Sequence, residues 1–121
     1  MDTHTVDEGS TQDYTATLQD EQGVAIALAS LDAIVLTLWE PITEGIVNSR
    51  DGQNVKNANN VTIHATTGAL TWTLQVLDTT IVQNPPPPVE YHRALFEFTY
   101  NTTKKGKHEV RFRIPNKRMV E

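Results

Sequence analysis

The chain has 121 residues, of which 38% are hydrophobic and 21% are charged, and its formal net charge is -5. This length allows one domain with a modest core, and the composition excludes wholesale disorder, collagen-like repeats and coiled coils. Cysteine is absent, which excludes disulfides, thiol catalysis and thiolate metal sites. The longest apolar run, residues 33–39, is far shorter than the roughly 20 residues that span a bilayer. The first residues lack the basic and apolar segments of a secretory signal, so we expect none.

Apolar residues recur at every second position in the first third of the chain, which is the pattern of half-buried β-strands. A first strand begins at Tyr14 and ends at the turn 20–23, and residues 25–30 predict a short edge segment. The run 33–39 is apolar on both faces and predicts a central strand that stops before Pro41. A helix over residues 25–38 is the alternative, because Ala and Leu favour helices and the run contains no Gly or Pro.

The same alternation continues to the end of the chain. Turn residues such as Asp51-Gly52 and Thr66-Thr67-Gly68 separate the apolar stretches. The strands predicted here cover residues 45–49, 61–65, 70–76, 94–100 and 110–114. About seven short strands with turns between them predict an all-β fold, an Ig-like antiparallel β-sandwich that forms a single domain over residues 1–121.

The two ends of the chain carry opposite charges. Residues 1–21 contain six acidic residues and no Lys or Arg, whereas residues 101–121 contain seven basic residues and two acidic ones. Two interpretations are open. Either the first and last strands lie near each other, or the acidic end contacts the basic end of a neighbouring copy or of another subunit.

Four consecutive prolines, Pro85, Pro86, Pro87 and Pro88, interrupt the strand pattern. Such a run has no internal backbone hydrogen bonds, so it predicts an extended polyproline II spacer about 12 Å long. It is either a stiff connection from one sheet to the other or an exposed arm that docks on an aromatic groove of a partner.

Motifs for catalysis and metal binding are missing from the sequence. The four histidines (His4, His64, His92 and His108) have no metal-binding spacing, and His64 and His108 fall in predicted strands, where they would lie on half-buried faces. The three serines have no His or acidic residue at a recognisable spacing, and the glycines stand singly. The acidic net charge argues against free nucleic acid as a partner. We therefore predict a protein that is not an enzyme, has no cofactor or metal, and binds neither membrane nor free nucleic acid.

The order of the motifs resembles a known family. The segments concerned are Thr67-Gly68-Ala69-Leu70-Thr71-Trp72-Thr73-Leu74, Leu77-Asp78-Thr79, Tyr91-His92-Arg93-Ala94-Leu95-Phe96-Glu97-Phe98-Thr99-Tyr100 and the final strand ending Ile114-Pro115. Over residues 12–115 the chain resembles small immunoglobulin-like structural proteins of tailed-phage virions, and it is similar to the N-terminal domain family of baseplate upper proteins. It departs from that family at residues 80–90, where the proline run is inserted.

The resemblance implies a non-enzymatic virion protein of the tail, baseplate or neck that contacts other virion proteins, and we expect a symmetric multimer. The contact residues that we predict are Asp7, Glu8, Pro85, Pro86, Pro87, Pro88, Lys117, Arg118 and Met119, with short contact arms at 1–11 and 116–121. A capsid-surface decoration protein is one alternative, and a carbohydrate-binding adhesion module is another.

The carbohydrate alternative depends on three aromatic residues, Trp39, Trp72 and Tyr91, as platforms for sugar rings. The exposure of Trp72 distinguishes a structural scaffold protein from a carbohydrate-binding module. The ring is buried in a scaffold protein and lies flat on the surface in a carbohydrate-binding module.

Overall fold

The computed structural model describes residues 2–117, which form two β-sheets packed against each other. The strands are β1 (Asp2–Thr5), β2 (Asp13–Thr17), β3 (Leu31–Glu40), β4 (Gly45–Ile46), β5 (Gln53–Asn54), β6 (Val61–Ile63), β7 (Ala69–Thr73), β8 (Val89–Tyr100) and β9 (Lys104–Pro115). Two short 3-10 helices cover Leu28–Ser30 and Val76–Asp78. The predicted all-β sandwich is confirmed.

The strand order explains how the two layers are built. The larger sheet has the order β1-β9-β8-β3-β4, with β5 also paired to β3, and the smaller sheet has the order β2-β7-β6. All pairs are antiparallel except β1 with β9, which is parallel. Strands β3, β8 and β9 form the centre of one layer, and β2, β7 and β6 form the other.

The core between the sheets is filled by the inward side of each strand. Ile34, Leu36 and Leu38 of β3 are fully buried, as the alternation predicts. At the centre, the ring of Trp72 packs edge-on against Phe96 and Phe112, with centroids 5.7 and 5.5 Å away. This edge-to-face geometry is the one that aromatic quadrupoles favour.

Several predicted elements differ from the structure. The helix alternative for residues 25–38 is wrong, because residues 31–40 form β3 between β8 and the short strands β4 and β5. The edge segment at 25–30 is also wrong, since only Ala25 makes a bridge and a 3-10 turn follows. The strand predicted at 45–49 ends at Ile46, because Asn48 and Ser49 have positive φ and the backbone leaves the extended region.

The opposite charges at the chain ends meet within one molecule. β1 lies directly beside β9, so the first and last strands are neighbours, as the first interpretation holds. Lys117 Nζ lies 3.3 Å from Asp7 Oδ1. At the far end of the sandwich Glu21 forms an ion pair with Lys104 and accepts a hydrogen bond from Tyr100 Oη. These hydrogen bonds lower the pKa of Glu21 to about 2, and the bond from Lys104 has the largest effect.

The proline run connects the smaller sheet to the larger one, but it is not the straight polyproline II spacer that was predicted. The backbone bends at residues 83–85 and again at Pro88, and the Asn84–Pro85 peptide bond is cis. The amide of Asn116 donates to Pro88 O at 2.8 Å, and its side-chain Nδ2 donates to Pro87 O at 3.2 Å. The carbonyl groups of the run are therefore tied to the end of β9.

The two histidines assigned to strands have different environments. His64 follows the end of β6 and is exposed, and its Nδ1 accepts hydrogen bonds from the amides of Thr66 and Thr67, so its placement on a half-buried strand face is wrong. His108 is half-buried in β9, and its Nε2 lies 2.6 Å from Tyr14 Oη of the other sheet. Burial lowers the pKa of His108, and burial together with the charge of Asp2 raises the pKa of Tyr14 to about 12.

We expect acidification to destabilise the protein through His108. Its pKa in the folded state is lower than in the unfolded chain, so below a pH of about 6.5 the unfolded chain takes up a proton that the folded protein does not. The stability contributed by neutral His108 is complete above that pH and is lost as the pH falls towards the folded-state value. His108→Gln keeps an acceptor for Tyr14 but does not titrate. Urea denaturation at about pH 7 and about pH 5 measures how much the free energy of unfolding falls on acidification, and we expect a smaller fall for the variant than for the wild type. An equal fall in both proteins would contradict this role of His108.

Candidate interaction surface

One end of the sandwich, here called the proline end, is formed by residues 6–12, 41–50, 74–88 and 116–117. Strand register places these segments together. Thr5 pairs with Arg113 and Val89 with Pro115, so β1 and β9 end where β8 begins. Asp13 pairs with Thr73 and Trp39 with Arg93, so β3 and β7 also end there and β2 begins there.

The structure brings most of the predicted contact residues to this end. Asp7 and Lys117 form the ion pair described above, and Glu8 follows Asp7 in the same loop. Of the four prolines, Pro85, Pro86 and Pro88 are exposed and Pro87 is half-buried. Arg118 and Met119 lie outside the described residues. The sequence identified these segments separately, and the fold shows that they adjoin one another.

Exposed apolar side chains are concentrated at the proline end and beside it. Among residues 2–117, seven large hydrophobic side chains are exposed, and six of them lie there: Ile42, Ile46, Val76, Leu77, Val82 and Tyr91. Ile42 and Leu77 are the most open, at 77% and 61% exposed. The seventh, Val24, lies at the opposite end beside the Glu21–Lys104 ion pair. A concentration of exposed apolar side chains at one end of a soluble protein is typical of an interaction site.

A groove of about 490 Å³ extends from the proline end onto the larger sheet. Its apolar walls come from Pro41, Ile42, Pro87, Val89 and Tyr91. Two guanidinium groups also line it. The guanidinium of Arg111 stacks 4.8 Å from the centroid of Tyr91, and that of Arg93 stacks 5.6 Å from the centroid of Trp39. The groove thus combines apolar surface with two guanidinium groups and with the carboxylate of Glu40, which also lines it.

The three aromatic platforms of the carbohydrate alternative are not arranged as one surface. Trp72 is fully buried in the core, so it cannot contact a sugar, and that part of the alternative is wrong. Trp39 is half-buried and Tyr91 is 36% exposed. Each of these two rings has an arginine stacked on it, which leaves less ring face for a sugar.

A buried ion pair holds the loops of the proline end in place. Arg50 and Asp78 are almost completely buried, with Arg50 Nε 2.6 Å and Nη2 3.0 Å from the two carboxylate oxygens. Asp78 also accepts hydrogen bonds from Asn48 Nδ2 at 2.9 Å and from the Gln75 amide at 2.7 Å. One carboxylate therefore connects the 48–50 loop to the 3-10 turn that presents Val76 and Leu77.

A second buried pair fixes the segment before the prolines. The carboxyl group of Glu90 accepts hydrogen bonds from the amides of Val82 and Gln83, both at 2.9 Å. His92 Nε2 lies 2.5 Å from Glu90 Oε2, and His92 Nδ1 lies 2.8 Å from the carbonyl oxygen of Asp78. Because a carbonyl oxygen only accepts, His92 donates to the Asp78 carbonyl through Nδ1, and its other ring nitrogen faces the Glu90 carboxyl group.

A third buried carboxylate, Glu40, shapes the loop that carries Ile42. Its oxygens accept hydrogen bonds from the amides of Ile42 at 2.6 Å and Thr43 at 2.8 Å. Burial disfavours its ionisation, but these hydrogen bonds outweigh burial, so the pKa of Glu40 is lowered. The carboxylate therefore stays ionised and keeps the turn after β3 in one conformation.

Converging carboxylates and a histidine are also what acid–base catalysis requires. Here Glu90 and His92 are fully buried, and neither lines the groove. Their hydrogen bonds go to main-chain groups and to each other, which suits the positioning of loops. Sequence reasoning missed this network, because Glu40, Glu90 and His92 occupy inward positions of β3 and β8, and alternation alone does not show that polar residues there bind the amides of loops.

Comparison with protein-family models, with curated proteins and with solved structures found no significant match to this chain. The resemblance to the tailed-phage proteins thus stays a prediction from the sequence motifs. Within residues 2–117, no cluster of three or more His, Asp or Glu side chains is arranged to bind a metal ion. The same part of the chain contains no helix with the length and apolar character needed to span a membrane.

Proposed function

We propose that this protein is a non-enzymatic structural component of a tailed-phage virion that joins neighbouring subunits through its proline end. The observation that carries the proposal is the concentration of six exposed apolar side chains around the segments that contain Asp7, Lys117 and the four prolines. Exposed apolar side chains do not stabilise a monomer, whereas a subunit that docks through them removes them from water.

The rigidity of this surface supports a docking role. The loops that present Ile42, Leu77 and Val82 are each anchored by a buried carboxylate, Glu40, Asp78 or Glu90. A surface that is already ordered loses little conformational entropy on binding, so more of the contact energy appears as affinity. This is the property required of a subunit that assembles in several symmetry-related copies.

The position in the particle is proposed from the sequence resemblance, which points to the tail, baseplate or neck. Mass analysis of purified particles, with quantification of copies of this chain per particle, tests both presence and position. A count of about six or twelve, as expected for a small closed ring, supports the tail or neck. A count in the hundreds indicates a capsid decoration protein instead. Absence from the particles would contradict the proposal.

A further inference from the structure

The outer side of the larger sheet has an unusual composition for a face that no second layer covers. We use "outer face" for the side of β3, β8 and β9 that points away from the smaller sheet. It presents the apolar residues Ala33, Val35 and Trp39 of β3 and Leu95 of β8. The sheet on one side of a sandwich normally alternates apolar residues inside with polar residues outside. In β3 both sides are apolar, although residues 2–117 form only the two layers.

The charge of the outer face is opposite to that of the molecule. Its basic side chains are Arg93, Lys105, Lys107, Arg111 and Arg113, and its acidic ones are Glu97 and Glu109. Arg93 forms an ion pair with Glu109 at 2.8 Å, whereas Lys105 and Lys107 have no ion-pair partner among the described residues. The chain as a whole has a net charge of -5. Positive charge is therefore gathered on this face while the remaining surface is acidic.

Two further grooves extend along the outer face. One, of about 580 Å³, is lined by Ala33, Val35 and Glu97 together with Lys105 and Lys107. The other, of about 600 Å³, is lined by Trp39, Leu95 and Arg93 and also by the carboxylates of Glu44 and Glu97, and it reaches Pro41 and Ile46 at the proline end. The apolar strip of β3 and β8 is thus bordered on the β9 side by lysines and arginines, and it is continuous with the groove at Tyr91.

From this arrangement we propose that the outer face binds an extended protein segment that turns both apolar side chains and carboxylates towards the sheet. The apolar side chains would cover Val35, Trp39 and Leu95, and the carboxylates would meet Lys105, Lys107 and Arg111. The proposal rests on the docking function proposed above and names the chemistry of the partner. Face-to-face pairing of two copies is disfavoured, because it would place two basic faces against each other. Nucleic acid is disfavoured by the acidic remainder of the molecule.

The probe is a blocked peptide of about ten residues in which leucine and glutamate follow each other at every second position, with threonine between them, so that both kinds of side chain lie on one side of the extended chain. It is titrated into the isotope-labelled protein, and binding is followed by NMR. A matched peptide with glutamine in place of glutamate is the control ligand. We expect the largest shifts in β3, β8 and β9 and affinity for the glutamate peptide at least about tenfold higher than for the glutamine peptide. Equal affinities, or shifts confined to other strands, would overturn the proposal.

Lys107→Gln should weaken binding of the glutamate peptide by about fivefold, whereas Thr62→Glu, an equal change of net charge on the exposed side of the smaller sheet, should leave it nearly unchanged. Equal effects would show that only net charge matters and would overturn the proposal.

Two other results would also overturn it. One is that the protein binds a single-stranded oligothymidylate of about twenty nucleotides more tightly than the glutamate peptide. The other is self-association of the protein through this face, measured by sedimentation. Because these measurements use the isolated protein, peptide binding can fail while particle incorporation succeeds, which separates this proposal from the proposed function.

Discussion

Asp78→Asn is expected to lower the free energy of unfolding by about 3–5 kcal/mol, because it leaves the buried guanidinium of Arg50 without a counter-charge. Both oxygens of Asp78 are engaged, by Arg50, by Asn48 and by the Gln75 amide. Asparagine has one acceptor oxygen in place of two and no charge. Urea denaturation at neutral pH, followed by tryptophan fluorescence, measures the loss.

Asp13→Asn is the matched control for this experiment. Asp13 is exposed, and its Oδ1 accepts a hydrogen bond from Thr73 Oγ1 at 2.8 Å. The same chemical change at this site should cost less than about 1 kcal/mol, since solvent screens the charge and replaces the hydrogen bond. If Asp78→Asn cost no more than the control, the buried ion pair would not be what holds the loops of the proline end.

Trp72→Ala is expected to lower the free energy of unfolding by about 3–5 kcal/mol, because it opens a cavity between the two sheets. The ring is fully buried, packs edge-on against Phe96 and Phe112, and has the Arg50 guanidinium 5.3 Å from its centroid. Its Nε1 has no hydrogen-bond partner among the described residues, so Trp72→Phe removes only packing and should cost less than Trp72→Ala.

The second tryptophan provides the comparison. Trp39 lies half-buried on the opposite side of the larger sheet, so Trp39→Ala should cost about 1 kcal/mol in the isolated protein. Chemical denaturation of both alanine variants measures the difference. A free-energy cost for Trp39→Ala equal to that for Trp72→Ala would contradict the placement of Trp72 in the shared core and of Trp39 on the outer side of the larger sheet.

The layered fold was predictable because alternation is a local signal. Most inward positions of β3, β7, β8 and β9 carry large apolar residues, so the period of two is visible in the sequence despite the buried polar residues Glu40, Glu90 and His92. Apolar residues on both sides of β3 predict a central strand, and this prediction is confirmed, since β8 lies on one side of β3 and β4 and β5 lie on the other. The sequence pattern contained no indication that its outer side would have no covering layer.

The separate segments of the candidate site were predictable from the sequence, but their convergence was not. The proline run and the charged ends could be recognised as unusual, but their convergence depends on the parallel pairing of β1 with β9, which no local pattern encodes. The buried groups Arg50 and Asp78 are 28 residues apart and neither belongs to a periodic pattern. Strand ends were also unpredictable where Asn and Ser residues adopt positive φ, as at Asn48 and Ser49.

Deletion of the proline run is a poor test of docking, because Pro87 and Pro88 also hold the end of β9 through Asn116. Point substitutions on the exposed surface avoid this problem. Ile42 and Leu77 project into solvent at the proline end, and Val24, 55% exposed, offers a matched site at the opposite end. Aspartate at any of these positions should leave the melting temperature nearly unchanged, since surface substitutions usually alter stability by less than about 0.5 kcal/mol.

Incorporation of these variants into particles is the most direct measurement. Particles assembled with the double variant Ile42→Asp, Leu77→Asp should lack this chain, because burying two unpaired carboxylates in a subunit contact is strongly unfavourable. Particles assembled with Val24→Asp should contain it at the wild-type level. Wild-type incorporation of the double variant would contradict docking through the proline end.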